Sequence, residues 1–231
     1  MRSFLLPAAA LIALATPAGA ATRNFGITGF TKIRVDGPFK VRLATGVAPF
    51  AKASGSASAL DRLAISVQGE TLVVRSNTAA AGSYSGNDNG LVEISAGTHE
   101  LSAAWLNGSG SLAIDRVKAL KFDLSVQGSG AAEIGQAAVD QLNINALGTA
   151  SARVGGKAGK LTAVVRGISS LDAAALIVKD ATLGAEGAAT IAANVSGSVK
   201  LDASGPATVR LAGRPACTLR VSGAATVSGC R

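Results

Sequence analysis

The 231-residue chain contains one histidine, one methionine and two cysteines, too few ligands for most metal centres and redox clusters. Aromatic residues make up only 3% and charged residues only 16% of it, against about 25% charged in ordinary domains. Apolar residues still account for 48%, which excludes an intrinsically disordered chain. Beyond residue 20 the sequence contains no apolar run of the roughly 18 residues that a membrane-spanning helix needs. We therefore expect a folded chain without a metal, a cofactor or a membrane span.

The first 20 residues have the character of a secretory signal peptide. Arg2 gives a positive start, residues 4–15 are apolar but too short to cross a bilayer, and Ala18-Gly19-Ala20 is a small-residue cleavage site. We predict cleavage before Ala21, the alternative being an uncleaved anchor. The mature chain would then carry 21 basic and 14 acidic side chains, a net charge of +7. Its expected location is the periplasm or the cell surface of a bacterium.

A short motif that begins with glycine recurs from about residue 100 onward. Seven copies follow one another at intervals of 18 to 20 residues, beginning at Gly108, Gly128, Gly148, Gly167, Gly187, Gly205 and Gly223. Positions two and four before each glycine, and four and six after it, are almost all apolar. Even offsets are typical of strands with one buried face. The glycine then marks a tight corner, because its backbone tolerates conformations that other residues avoid.

Two strands and a corner in every repeat predict one rung of a solenoid. The predicted fold is all-β, a single-stranded right-handed parallel β-helix with about seven regular rungs of 18–20 residues. One domain would cover residues 21–231, with irregular rungs or a cap over 21–100 and regular rungs over 101–231. The residue two places after each glycine is always small and should form one buried inner row, which comprises Gly110, Gly130, Ala150, Ser169, Ala189, Ala207 and Ala225.

An N-terminal block and the Gly-Ser-Gly rungs at 108 and 128 resemble a known bacterial family. The matching residues are Gly29-Phe30-x-x-Ile33-x-Val35-x-Gly37-Pro38-Phe39-x-Val41-x-Leu43, Thr45-Gly46, Leu60-Asp61-x-Leu63 and Val67-x-Gly69-x-x-Leu72-x-Val74. Over roughly residues 25–230 the chain resembles the family described as putative auto-transporter adhesin, head GIN domain. This resemblance implies an exported β-helical protein, its name suggests adhesion, and it brings no catalytic residues.

One charged row leaves an enzymatic alternative open. Glu133, Arg153 and Asp172 lie five positions after successive corner glycines and should stack on one outer face. Two carboxylates at such a spacing could serve a lyase or hydrolase that acts on an acidic polysaccharide. A ladder of opposite charges on adjacent rungs needs no substrate. We favour this ion ladder, because the repeats contain only Trp105 and Phe122 as aromatic platforms for sugar rings.

The excess of positive charge favours anionic partners, such as envelope polysaccharides or lipid head groups. Nucleic acid is disfavoured because no nucleic-acid-binding motif occurs. The candidate ligand face consists of basic residues near the rung ends, namely Lys118, Lys121, Lys157, Lys160, Arg166 and Lys179. We therefore predict a non-enzymatic exported scaffold or adhesion module for anionic surface components, and ordinary solvated surface charge is the alternative.

Cys217 and Cys230 lie 13 residues apart near the C-terminus. Export to an oxidising compartment favours a disulfide between them, and two reduced or buried thiols are the alternative. The last strands of a solenoid lack a partner on one side. We predict that the disulfide ties the final residues across the last rung as a cap.

Overall fold

The computed structural model describes residues 21–77 and 92–231. The predicted signal peptide, residues 1–20, lies outside the described residues. Strands account for 73% of the structure and helix for 3%, which confirms the all-β prediction. In the part of the chain that the structure describes, no helix has the length and apolar character to cross a membrane.

The described residues form seventeen strands and one short helix. The first eight strands are β1 (Ala21–Phe25), β2 (Lys32–Asp36), β3 (Lys40–Thr45), β4 (Phe50–Gly55), β5 (Leu63–Gln68), β6 (Thr71–Ser76), β7 (Glu93–Thr98) and β8 (Ala103–Gly108), with helix α1 at Ala57–Asp61. The others are β9 (Ser111–Gly128), β10 (Ala131–Gly148), β11 (Ser151–Gly167), β12 (Ser170–Glu186), β13 (Thr190–Val195), β14 (Ser198–Ser204), β15 (Thr208–Ala212), β16 (Ala216–Ser222) and β17 (Thr226–Ser228).

Strands β9 to β12 are long because each follows almost a complete rung of a solenoid. β10 pairs in parallel with β9 and with β11, which places Gly148 opposite Gly128 on one side and Gly167 on the other. Strands β13 to β17 continue the parallel stacking to the end of the chain. The result is a β-solenoid of about six turns, which confirms the predicted fold class.

Each regular rung has three inward-facing segments, one more than the repeat motif predicted. In β9 the buried side chains fall into three groups, Leu112 with Ile114, then Val117, then Phe122 with Leu124 and Val126. The alternation changes phase between the groups, where two consecutive residues are exposed. The sequence motif missed the middle segment because this phase change breaks the even offsets counted from the glycine.

The corner glycines form one stack along the solenoid. Their φ values are all positive, from +109° at Gly108 to +73° at Gly223, in a region that strongly favours glycine. Gly37 is an eighth member, because a side chain on Gly108 would meet its main chain at 3.4 Å. Gly37 departs from the repeat motif, because the bulky Phe39 stands where the repeats have a small residue.

The N-terminal part is interwoven with the first regular rung. β2 lies between β6 and β8, and β3 lies between β7 and β9, with all four pairings parallel. Segment 32–45 is therefore enclosed on both sides by strands that come later in the sequence. β1, β4 and β5 add antiparallel pairings to this end of the solenoid. Residues 21–77 and 92–100 thus contribute both an internal rung and an irregular end.

The small residues two places after the corner glycines lie in the interior. Ala150, Ser169, Ala189 and Ala207 are at most 1% exposed. Ala225, in the last rung of the structure, is only half-buried. The one hydroxyl in the row is satisfied, since Ser169 Oγ accepts a hydrogen bond from the Ala150 N–H at 3.1 Å.

We expect Ala189→Leu to lower the free energy of unfolding by about 2 kcal/mol, because extra methylene groups overpack a closed core. Ala188→Leu is the matched control, since the neighbouring Ala188 is exposed at the same corner. Urea unfolding of the two variants measures both values. An Ala189→Leu variant as stable as Ala188→Leu would show that the inner row has room for a large side chain.

Candidate functional site

Five of the six predicted basic residues lie together along one edge of the solenoid, at the bend between the second and third inward-facing segments. Lys118 and Lys157 occupy equivalent positions two rungs apart, in register through Ala138. Lys121 and Lys160 are related in the same way through Gln141. Rungs stack about 4.8 Å apart, so each equivalent pair is separated by roughly 10 Å. With Lys179 on the next rung, these residues define what we call the lysine edge.

Two exposed apolar side chains lie among these lysines. Leu120 is 79% exposed and Ile177 is 53% exposed. Ile177 is in register with Lys157, and it lines a shallow groove of about 360 Å³ together with Lys157 and Lys179. The sequence analysis did not select Leu120 or Ile177. The available signal was a large apolar residue one or two positions before a lysine, Leu120 before Lys121 and Ile177 before Lys179, at a phase that does not point inward.

The lysine edge also contains three acidic side chains, Asp123, Asp140 and Asp180, which offset part of its positive charge. Lys121 contacts Asp123, with 3.2 Å between Nζ and Oδ2, whereas the other four lysines form no ion pair with any described residue. Asp180 lies beside Lys160 but is held by Ser198, whose hydroxyl donates to Oδ1 at 2.6 Å and whose N–H donates at 3.0 Å. These hydrogen bonds, together with the charges of Lys179 and Lys160, lower the pKa of Asp180.

Arg166 lies apart from the lysine edge, although its sequence position near a rung end placed it in the same candidate face. It directly precedes the corner Gly167, and its Nε lies 2.9 Å from Oε2 of Glu186 on the next rung. The grouping of all six basic residues on one face is therefore not what the structure contains. The reason is the third segment of each rung, which separates the bend that carries the lysines from the corner that carries Arg166.

Glu133, Arg153 and Asp172 occupy consecutive rungs in direct register on the outer face of the first segment. Arg153 Nε lies 3.2 Å from Asp172 Oδ2, with the two side chains 68% and 48% exposed. Arg153 therefore lies between Glu133 and Asp172 and forms an ion pair with Asp172 on an exposed surface. This arrangement is an exposed ion pair within a charged row, and it does not place two carboxylates in an enclosed cleft.

The two cysteines form a disulfide with a Cα–Cα distance of 5.8 Å, which confirms the predicted pairing. The cap that it provides is partial. Leu219 and Val221 on β16 follow the inward phase of the rung below but remain 42% and 48% exposed. The bridge joins residues at one end of β16, so it leaves the other end of that strand uncovered.

His99 belongs to no metal site among the described residues, where no group of three or more His, Cys, Asp or Glu side chains comes together. The two aromatic residues of the repeats have different environments. Phe122 is completely buried in the core, whereas Trp105 is half-buried and lines the groove of about 820 Å³ on the outer face of the third segment.

Residues 29–215 match the family described as putative auto-transporter adhesin, head GIN domain. The chain belongs to this family. The match confirms the resemblance carried by the N-terminal block and the glycine rungs. No curated protein sequence matches this GIN-domain chain.

Solved structures share the fold of this GIN-domain chain at low sequence identity. A putative adhesin from Bacteroides fragilis NCTC 9343 has a TM-score of 0.79 at 16% identity, over 91% of this chain and 97% of that chain. A putative lipid binding protein from Parabacteroides distasonis ATCC 8503 has a TM-score of 0.69 at 17% identity, over 90% and 96%. A putative adhesin from Parabacteroides merdae ATCC 43184 has a TM-score of 0.64 at 16% identity, over 90% and 95%. At these identities the neighbours establish the fold alone.

Proposed function

We propose that this GIN-domain chain is an exported, non-enzymatic binding module that attaches to anionic membrane surfaces through the lysine edge. The observation that carries the proposal is the exposure of Leu120 and Ile177 among five lysines, of which four have no described ion-pair partner. The disulfide and the membership of an adhesin family support export, because structural disulfides persist in oxidising compartments.

The lysines of the lysine edge and the exposed apolar side chains among them both suit a lipid surface. A lysine close to an anionic bilayer contributes about 1 kcal/mol of binding free energy, and this contribution decreases within a Debye length. Exposed leucine and isoleucine side chains add favourable transfer into the interfacial region. An acidic polysaccharide would use the lysines but would gain little from Leu120 and Ile177. The structural neighbour named as a putative lipid binding protein supports the same choice.

We expect Lys157→Gln/Lys160→Gln to weaken binding to vesicles of phosphatidylcholine mixed with phosphatidylglycerol by about 30-fold, which corresponds to about 2 kcal/mol for two lysines. Lys52→Gln/Lys200→Gln is the matched control. It also removes two positive charges from exposed lysines, but both of these lysines lie outside the lysine edge. Co-sedimentation measures both variants, and vesicles of phosphatidylcholine alone should bind neither variant nor the unaltered chain.

The Leu120→Ser variant distinguishes binding to an anionic bilayer from binding to an acidic polysaccharide. It should weaken vesicle binding several-fold and leave any retention on immobilised alginate unchanged, since only the bilayer accepts an apolar side chain. Retention on alginate without binding to anionic vesicles would replace the membrane with a polysaccharide. Equal loss of vesicle binding in the control pair would show that net charge, and not the lysine edge, is responsible.

The non-enzymatic part of the proposal has its own test. Incubation with alginate and polygalacturonate should release no reducing ends above background. Release that Glu133→Gln/Asp172→Asn abolishes would establish the carboxylate row as a catalytic site and overturn the proposal.

A further inference from the structure

The groove around Trp105 lies at the N-terminal part of the solenoid, away from the lysine edge. It has a volume of about 820 Å³, crosses the outer face of four neighbouring strands, β6, β2, β8 and β9, and reaches the end of β5. Its polar lining includes Arg34, Asp36, Gln68, Asn107 and Gln127. Trp105 supplies the large aromatic surface of the groove.

Trp105 is the single tryptophan of the chain, and it does not serve the core. It stands between the fully buried Ala104 and Leu106 on β8, so the alternation of the strand directs it to the outer face. Its neighbours in register are Arg34 on β2 and Ser125 on β9. The next regular rung has Ser125 at the equivalent outer position, whereas this rung presents an indole to solvent.

The polar groups beside the indole are already held in place. Asp36 Oδ1 accepts hydrogen bonds from Arg34 Nε at 3.0 Å and from Asn107 Nδ2 at 2.6 Å. Gln127 Nε2 lies 3.4 Å from Ser125 Oγ. These contacts use only part of the hydrogen-bonding capacity, because a guanidinium has five donors and an amide has two donors and an acceptor oxygen. The remaining donors and acceptors are available to a ligand in the groove.

We infer that this groove binds a neutral saccharide, with one sugar ring against the face of Trp105 and its hydroxyls on the surrounding amides, guanidinium and carboxylate. The ion pair between Arg34 and Asp36, with 2.9 Å between Nε and Oδ2, cancels the local charge and so disfavours a strongly anionic ligand. A purely apolar ligand would leave these polar groups without partners, which is costly. A polyhydroxylated ring with an apolar face satisfies both the indole and the polar groups.

The single tryptophan makes the groove directly observable. Excitation at wavelengths that tyrosine does not absorb reports on Trp105 alone, so a saccharide on the indole should shift or quench the emission in a saturable way. The probes are cellotetraose, chitotetraose, maltotetraose and mannotetraose, each titrated into the full mature chain. We expect at least one of them to give a saturable change.

Two variants test the saccharide site while leaving Trp105 in place. Asn107→Ala and Gln127→Ala should each weaken binding of the responding saccharide by about tenfold, the loss expected for one or two hydrogen bonds. Gln141→Ala is the matched control, because this exposed amide lies between Lys121 and Lys160 in register. Trp105→Ala, followed by calorimetry, should abolish binding while the melting temperature confirms that it folds.

The inference is independent of the membrane proposal, because Lys157→Gln/Lys160→Gln should bind the saccharide normally. Absence of a saturable change with all four probes would overturn it. Binding that persists in Asn107→Ala and Trp105→Ala would also overturn it, as would loss of binding in Lys157→Gln/Lys160→Gln.

Discussion

Gly148→Ala should lower the free energy of unfolding by about 3 kcal/mol, although it adds a single methyl group. Gly148 has a φ of +96°, a conformation that costs an alanine roughly 1–3 kcal/mol. A Cβ atom there would lie 2.7 Å from the carbonyl oxygen of Gly128, the acceptor for the Thr149 N–H at 2.8 Å. The rung would have to shift to relieve the contact and would weaken that hydrogen bond.

Gly184→Ala is the matched control for this substitution. A Cβ atom at Gly184 would meet its nearest neighbours at ordinary distances, 3.8 Å from Val164 Cγ2 and 3.9 Å from the Ala163 oxygen. Its φ lies outside the left-handed region, so we expect no loss of stability, or a gain of up to about 1 kcal/mol. Urea unfolding of both variants decides the point. Equal stabilities would mean that the corner does not require glycine.

Replacing both cysteines, in Cys217→Ala/Cys230→Ala, should lower the free energy of unfolding by about 3 kcal/mol. The bridge spans a sequence separation of 13 residues, and a loop of that size restricts the unfolded chain by roughly this amount. The loss of stability should concentrate in the rung of β16, where Leu219 and Val221 are 42% and 48% exposed.

Reduction provides the internal control for the disulfide. Dithiothreitol should destabilise the unaltered chain to the level of the double variant and should leave the double variant unchanged. Two reactive thiols per chain in the oxidised, denatured protein would contradict the pairing. A double variant as stable as the unaltered chain would show that the last rung does not depend on the bridge.

The sequence was sufficient to predict the solenoid because its information is local and repeated. Gly128, Gly148 and Gly167 have the same offsets to their neighbours, and parallel stacking converts that period directly into register. It did not predict the middle segment of each rung, because Val117 lies at an odd offset after a bend. It also did not predict the position of β2 and β3, because their partners β6 to β9 follow them in the chain.

The sequence also predicted only part of the candidate functional site. Lys118, Lys121, Lys157, Lys160 and Lys179 were identified by their place in the repeat, and stacking of equivalent positions then brought them to one edge. Arg166 has a similar place near a rung end but is separated from that edge by a whole segment. The exposure of Leu120 could not be read from its apolar character, since the same character usually signals the core.

By itself, the sequence determined the rung, its corner glycine and the inner row of small residues, and it favoured the pairing of Cys217 with Cys230 that the structure then showed. Only the tertiary structure decided that Trp105 stands beside Arg34, which is 71 positions away in sequence, because β2 is inserted between β6 and β8. A repeated pattern determines contacts between equivalent positions, and it carries no information about contacts made by a segment outside the repeat. The groove at Trp105 depends on such a segment, and the lysine edge depends on the repeat.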